Sequence, residues 1–146
     1  MSKLTLILGY LGTLPFVFIG ASLFLNFQFS IYHYPIDERF LESAISLYAL
    51  IIASFLAGTH WTHHVINNKQ FTKNIAIISN VIVVFLWIAY LLITYKMYIF
   101  VISVCFVVLL AIDKLLKNNS IISDTYFNLR YFATLIVLLS LLLSVA

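Results

Sequence analysis

The sequence predicts an all-α protein, a multi-pass transmembrane helix bundle of five spans, on the basis of composition and run length. Hydrophobic residues make up 64% of the 146 residues and charged residues only 9%, and the mean hydropathy is +1.10. A soluble domain needs more charge to cover its surface. Several apolar runs also reach the length of about 20 residues that spans a bilayer. We expect a single integral membrane domain over residues 1–146.

Polar connections separate the apolar runs and set the expected limits of each span. We expect spans at residues 4–25, 43–66, 75–94, 97–116 and 126–146. A cleaved signal peptide competes with the first span, because Lys3 precedes an apolar run that ends in small residues. We favour a retained helix, since the run is long and contains Pro15. That proline predicts a kink in span one.

The distribution of Lys and Arg predicts the orientation of the bundle. Two cationic residues, Arg39 and Lys96, lie on one side, and the side of the N-terminus carries Lys3, Lys69, Lys73, Lys114, Lys117 and Arg130. Cytoplasmic loops are enriched in Lys and Arg. We therefore expect a cytoplasmic N-terminus and an external C-terminus in the inner (cytoplasmic) membrane of a cell. In an organelle, the N-terminus would face the matrix.

Several functional classes find no support in the composition or the motifs. The net charge of +3 does not indicate nucleic-acid binding, because the cationic residues form no basic stripe. The single cysteine, Cys105, excludes an intrachain disulfide. The sequence contains no glycine-rich phosphate loop, no nucleophile elbow and no carboxylate pair with acid–base spacing. We expect no catalytic residue and no cofactor, and we favour a non-enzymatic protein.

Span two ends in an unusual polar segment. His60, His63 and His64 are spaced i, i+3 and i+4, so they share one helix face. We expect His60 to be buried and the other two histidines to be solvated at the membrane interface. Small residues next to this segment and in span one favour close helix packing; they are Gly9, Gly12, Pro15, Ser54, Ala57 and Gly58.

The predicted topology brings polar residues of separate spans to one depth, in the inner leaflet. Asp113 lies near the end of span four and Arg130 near the start of span five, so an ion pair between them is favoured over separate snorkelling to the headgroups. We expect its role to be structural rather than catalytic. The candidate intramembrane polar site consists of His60, Trp61, Asp113 and Arg130.

The histidines permit a second interpretation. Neutral imidazoles beside a carboxylate such as Asp113 can bind a transition metal, ligate a haem or relay protons. The weak metal candidates are His60 and His64. Against this stands an ordinary helix end at the interface, where Trp61 is an anchor and the histidines are hydrated. We favour the ordinary helix end, because motif matches of this kind overpredict.

Three parts of the chain carry recognisable motifs: LGYLGTLPF from Leu8 to Phe16, SFLAGTHW from Ser54 to Trp61, and Asp113 with the YFNLR segment that ends at Arg130. They resemble the opening glycine–proline motif, the second motif and the later residues of a family typified by transmembrane protein sixty-nine, whose activity is not established. Ala57 and Thr62 stand where the family has glycine. The resemblance implies a multi-pass inner-membrane protein of bacteria or mitochondria.

Three functions are compatible with these patterns. The first is a non-enzymatic accessory or assembly protein, whose partners are the lipid bilayer and another membrane protein or a second copy of the chain. The second is a small transporter component in which His60, Asp113 and Arg130 line a polar cavity facing the cytoplasm. The third is a membrane protein that binds metal or haem through the span-two histidines. We favour the first, because small-residue faces suit helix association.

Overall fold

A computed structural model describes residues 3–26, 29–31, 34–67 and 69–146. These residues form six α-helices and one short hairpin of two antiparallel strands. The helices are α1 (Lys3–Leu11), α2 (Leu14–Phe24), α3 (Glu38–Asn67), α4 (Gln70–Leu92), α5 (Tyr95–Asn118) and α6 (Asp124–Leu143), and the strands are β1 (Phe29–Ile31) and β2 (Tyr34–Ile36).

Five helical segments are long and apolar enough to cross a membrane, as the sequence predicts. They are Lys3–Phe24, which contains both α1 and α2, Glu38–Asn67, Gln70–Leu92, Tyr95–Asn118 and Asp124–Leu143. The segment from Glu38 to Asn67 begins earlier than the predicted span, because Asp37 Oδ1 accepts a hydrogen bond from the Phe40 amide at 2.9 Å and thereby caps the helix. The hairpin between α2 and α3 was not predicted.

The first membrane segment is interrupted at Gly12 and Thr13, close to Pro15, near which the sequence predicts a kink. Pro15 lies in the first turn of α2, where its missing N–H is not needed. Thr13 turns the chain through two hydrogen bonds to the Tyr10 carbonyl, from its amide at 2.9 Å and from its hydroxyl at 2.8 Å. The Tyr48 hydroxyl donates to the Gly12 carbonyl at 3.0 Å, so the interruption is tied to α3.

Helix α3 is the centre of the bundle, since it packs against α2, α4 and α5, while α6 packs against α1, α2 and α5. Along α3 the small residues Ala49, Ala53 and Ala57 recur every four positions and are buried. Small side chains at this spacing let helices approach closely. The outward positions of the bundle carry large apolar side chains, as a lipid-facing surface requires; examples are Phe55 of α3, Phe85 of α4 and Phe100 of α5.

The glycines and Ser54 differ in their contribution to packing. A Cβ atom on Gly20 would lie 2.5 Å from the backbone oxygen of Ser140, and one on Gly9 would lie 2.8 Å from a methyl carbon of Leu129. Close approach of α2 to α6 therefore depends on Gly20, where the contact is with backbone, whereas at Gly9 the Leu129 side chain could turn away. Ser54 and Gly58, by contrast, are exposed, and a Cβ on Gly58 would meet no atom within 4 Å.

Ser54 and Gly58 therefore meet no neighbouring helix in the described part of this chain, and their packing against a helix stays a prediction. Both lie on the outward face of α3, and the Ser54 hydroxyl donates to the Leu50 carbonyl of its own helix at 2.9 Å. Gly12 has room as well, because the nearest atoms to an added methyl group would be backbone oxygens of its own segment at 3.5 and 3.6 Å.

Candidate functional site

Asp113 is the centre of a buried cluster of polar side chains. It lies in the last two turns of α5 and is 1% exposed. Its Oδ2 atom accepts a hydrogen bond from Arg130 Nε at 2.9 Å, and its Oδ1 atom lies 3.0 Å from His60 Nε2. The carboxylate therefore contacts α3 through Oδ1 and α6 through Oδ2.

His60 extends the cluster to a fourth helix. Its Nδ1 atom lies 2.6 Å from the hydroxyl of Ser79 in α4. A neutral ring with its proton on Nε2 donates to Asp113 and accepts from Ser79, and a doubly protonated ring donates to both oxygens. Either arrangement satisfies both ring nitrogens. We call His60, Ser79, Asp113 and Arg130 the polar network; it joins α3, α4, α5 and α6.

The energetics of the polar network depend on its burial. His60 and Ser79 are fully buried and Arg130 is 9% exposed, so little water reaches the ion pair. A charged side chain at the centre of a bilayer costs about 2.5–3.5 kcal/mol on insertion scales. Pairing Asp113 with Arg130 cancels the net charge, and removal of one partner would leave the other charge uncompensated. The network is therefore sensitive to single substitutions.

The structure brings together three of the four residues predicted for the polar site. His60, Asp113 and Arg130 are in contact, but Trp61 is 52% exposed, and its ring centroid lies 6.3 Å from that of His64. The structure does not bring Trp61 to the other three residues, because successive residues of a helix point in directions about 100° apart. His63 and His64 are half-buried and take no part in the polar network.

Of the two weak metal candidates, His60 has no ring nitrogen free for a metal ion. Both ring nitrogens of His60 have hydrogen-bond partners, and His64 Nδ1 lies 3.4 Å from the Thr72 hydroxyl. Within the described ranges, no group of three or more His, Cys, Asp or Glu residues could hold a metal ion.

Ser79 is the member of the polar network that the sequence did not lead us to predict. The larger side chains of α4 with polar atoms take no part in the network. Asn80 donates to the Ala76 carbonyl of its own helix at 3.0 Å, and Trp87 is exposed. The signal that points to Ser79 is periodicity. Thr72, Ala76 and Ser79 are small residues on one helix face, and all three are buried.

A cavity of about 360 Å³ adjoins the polar network between α1, α2, α3, α5 and α6. Its wall is largely apolar and includes Phe16, Phe106 and Val137. Arg130 and Thr134 also line it. The Arg130 Nη2 atom and the Thr134 Oγ1 atom are buried and have no hydrogen-bond partner in the described structure. Two residues that line the apolar cavity therefore each carry a buried polar atom without a partner.

The described residues form an α-helical bundle with five segments long and apolar enough to cross a membrane, which is consistent with the multi-pass membrane class. The whole chain, residues 1–146, matches the model of a family described as "Protein of unknown function (DUF3429)", and the chain belongs to that family. No curated protein and no solved structure matches it.

Proposed function

We propose that this integral membrane protein is a non-enzymatic accessory or assembly protein of a membrane complex. The observation that supports this function is that the acid–base groups of the polar network are already bonded to one another. Both oxygens of Asp113 and both ring nitrogens of His60 have partners inside the chain. No basic or acidic atom of these two residues is left to react with a substrate. The network therefore serves to fix the arrangement of four helices.

A fixed bundle of this kind would act by binding through its outer surface. Helices associate in lipid through van der Waals packing, which small residues favour. Ser54, Gly58 and Thr62 lie at intervals of four on α3 and are exposed, so a partner helix can approach there without displacing any part of this chain. The partner is another membrane protein or a second copy of the chain.

The proposal also covers the membrane in which the chain lies and the family that its motifs resemble. We place the chain in the inner membrane of a bacterium or mitochondrion, near transmembrane protein sixty-nine, on the basis of the glycine–proline motif from Leu8 to Phe16 and the segment from Ser54 to Trp61. The cytoplasmic N-terminus follows from the excess of Lys and Arg on that side.

Purification from native membranes in a mild detergent tests the accessory function. We expect a stoichiometric membrane protein to co-elute and to be identified by mass spectrometry. Gly58→Leu should reduce its recovery, because it adds bulk on the open face of α3, whereas Ala111→Leu adds bulk at an exposed position of α5 and should not. Turnover of a substrate by the purified, reconstituted protein alone would contradict the proposal.

A second candidate function, a small transporter component, is favoured by the position of Arg130 at the cavity wall. Its polar site would be Arg130 with Asp113 and His60 behind it. Reconstitution into liposomes distinguishes the two functions, since a transporter would support solute flux without a partner. The third function, metal or haem binding through His60 and His64, requires metal in an elemental analysis or a haem band in the visible spectrum of the purified protein.

A further inference from the structure

The two unpartnered polar atoms near the polar network point to a ligand. Arg130 Nη2 and Thr134 Oγ1 are buried without hydrogen bonds, although a buried polar group without a partner costs free energy. Both residues line the same cavity, and they are spaced i and i+4 on α6, which places them on one helix face. A molecule in the cavity that offers an acceptor oxygen to this face would satisfy both groups.

The charge balance of the site indicates what kind of acceptor fits. The guanidinium of Arg130 is already neutralised by Asp113, which accepts from its Nε atom at 2.9 Å. A second anion would leave a net negative charge in a medium of low dielectric constant, and such a charge is costly. An uncharged carbonyl oxygen accepts from Nη2 and from the threonine hydroxyl without changing the net charge.

The remainder of the cavity requires an apolar chain. From Arg130 it extends past Thr134 to Val137, Phe106 and Phe16, that is, toward the middle of α6 and α5. Val137 lies seven residues beyond Arg130 and therefore about 10 Å deeper along the helix. The volume of about 360 Å³ lies within the usual range of about 300–1,000 Å³ for small-molecule sites.

A second cavity adjoins the first near the helix ends; most of its wall is apolar and includes Ile121 and Ile122, but polar side chains make up a larger share of it than in the first cavity. It is lined by Thr59, Thr62, His63 and Ser123, and it shares Thr5, Thr59 and Tyr126 with the apolar cavity. The two cavities thus place hydroxyl groups at the end of the helices and apolar groups deeper in the bundle. A membrane lipid has the same order of parts, with a polar headgroup at the interface and chains toward the bilayer centre.

We propose that the apolar cavity binds one acyl chain of a membrane phospholipid, with its ester carbonyl held by Arg130 and Thr134. The headgroup then lies at the hydroxyl-lined cavity between Thr59 and Ser123. This assigns Arg130 two functions: its Nε atom belongs to the polar network, and its Nη2 atom recognises the lipid. It goes beyond the accessory function, which requires no ligand.

Native mass spectrometry of the detergent-solubilised full chain tests the proposal with two probes. The first is a diacyl phosphatidylethanolamine, and the second is the dialkyl ether lipid of the same headgroup and chain length, which has no carbonyl oxygen. We expect one bound diester lipid per chain, with an affinity about tenfold higher than that of the diether lipid, since a hydrogen bond to a charged donor has about that effect. Equal binding of the two lipids would overturn the proposal.

Two variants show whether the lipid occupies this cavity. Thr134→Val keeps the shape of the side chain and removes the hydroxyl, so we expect the preference for the diester lipid to fall by about threefold. Ala133→Leu adds a side chain that fills part of the cavity and should abolish the single bound lipid. Ala111→Leu makes the same change at an exposed position of α5 and should leave binding unchanged. Melting temperatures verify that each variant is folded.

Two further results would overturn the proposal. Unchanged lipid binding in Ala133→Leu would mean that the lipid is held elsewhere on the surface. Displacement of the diester lipid by a tighter-binding decyl benzoquinone would mean that the carbonyl belongs to a quinone ring rather than to an acyl ester.

Discussion

His60 Nε2 and Asp113 Oδ1 lie 3.0 Å apart, although 53 residues separate them in the sequence. The contact is fully buried, so it holds α3 against α5 without competition from water. With Arg130 on the other carboxylate oxygen and Ser79 on the other ring nitrogen, it makes the stability of the bundle depend on a single acidic side chain.

Replacement of that side chain should be strongly destabilising. Asp113→Asn keeps the size of the group and removes its charge, which leaves the buried guanidinium of Arg130 uncompensated. We expect a loss of about 3–5 kcal/mol of stability, measured by unfolding of the detergent-solubilised protein. Asp124→Asn is the matched control, because the Asp124 side chain is 80% exposed in its ion pair with Lys117. Equal losses in the two variants would contradict the role of the network.

Arg130 and Lys117 should differ in their contribution to stability, as Asp113 and Asp124 do. Arg130→Ala leaves a buried carboxylate without its cation, so we expect it to lower the melting temperature well below that of Lys117→Ala. The Lys117–Asp124 pair has an N–O distance of 2.9 Å but is accessible to water, and pairs of that kind contribute about 0–1 kcal/mol. Equal melting temperatures would indicate that Arg130 extends to the headgroups instead.

Ser79 allows a test of the network without a change of charge. Ser79→Ala removes the partner of His60 Nδ1, and a buried nitrogen without a hydrogen bond costs about 1–3 kcal/mol. Ser103→Ala is the control, since the Ser103 hydroxyl donates only to the Ile99 carbonyl of its own helix at 2.7 Å. We expect a lower unfolding free energy for Ser79→Ala than for Ser103→Ala, and the reverse order would argue against a contribution from Ser79.

Gly20 and Gly58 should respond differently to replacement by alanine. At Gly20 the added methyl group would lie 2.5 Å from the Ser140 backbone oxygen, so Gly20→Ala must push α2 away from α6 and lower the melting temperature. At Gly58 nothing lies within 4 Å, and alanine is better than glycine in a helix by up to about 1 kcal/mol. Gly58→Ala should therefore be neutral or stabilising. A destabilised Gly58→Ala variant would reveal a contact at that face.

The orientation of the bundle is open to a direct test. Alkaline phosphatase fused after Ala146 should be active, because we expect the C-terminus to be external, and the enzyme folds only outside the cytoplasm. A fusion after Asn119, in the loop between α5 and α6, should be inactive. The opposite pattern of activities would reverse the predicted topology.

The sequence was sufficient to predict the five membrane-length segments, because long apolar runs with charged ends have few other structures. It also indicated the contact between Asp113 and Arg130, since a short loop joins their helices. The contact of His60 with both Asp113 and Ser79 depends on how α3, α4 and α5 are rotated about their axes. Periodicity defines the faces of a helix but not its neighbours, and for this reason Ser79 was missed.

The same limit applies to Gly58. A small-residue pattern indicates that a helix can be approached closely, but it does not say by which helix. In this chain the buried small positions of α3 are Ala49, Ala53 and Ala57, and Gly58 lies on the other face. The interruption of span one was predictable near Pro15, whereas its fixation by the Tyr48 hydroxyl was not.

The short connection between α5 and α6 has a consequence for the biogenesis of the protein. Asp113 and Arg130 belong to consecutive helices and pair within 2.9 Å, and Lys117 pairs with Asp124 at the tip of the same hairpin. The two opposite charges therefore lie in one pair of consecutive helices, α5 and α6, when the chain is inserted into the membrane. Each would oppose insertion of a solitary helix, but a hairpin that forms at the translocon exit delivers them to the lipid as a neutral pair.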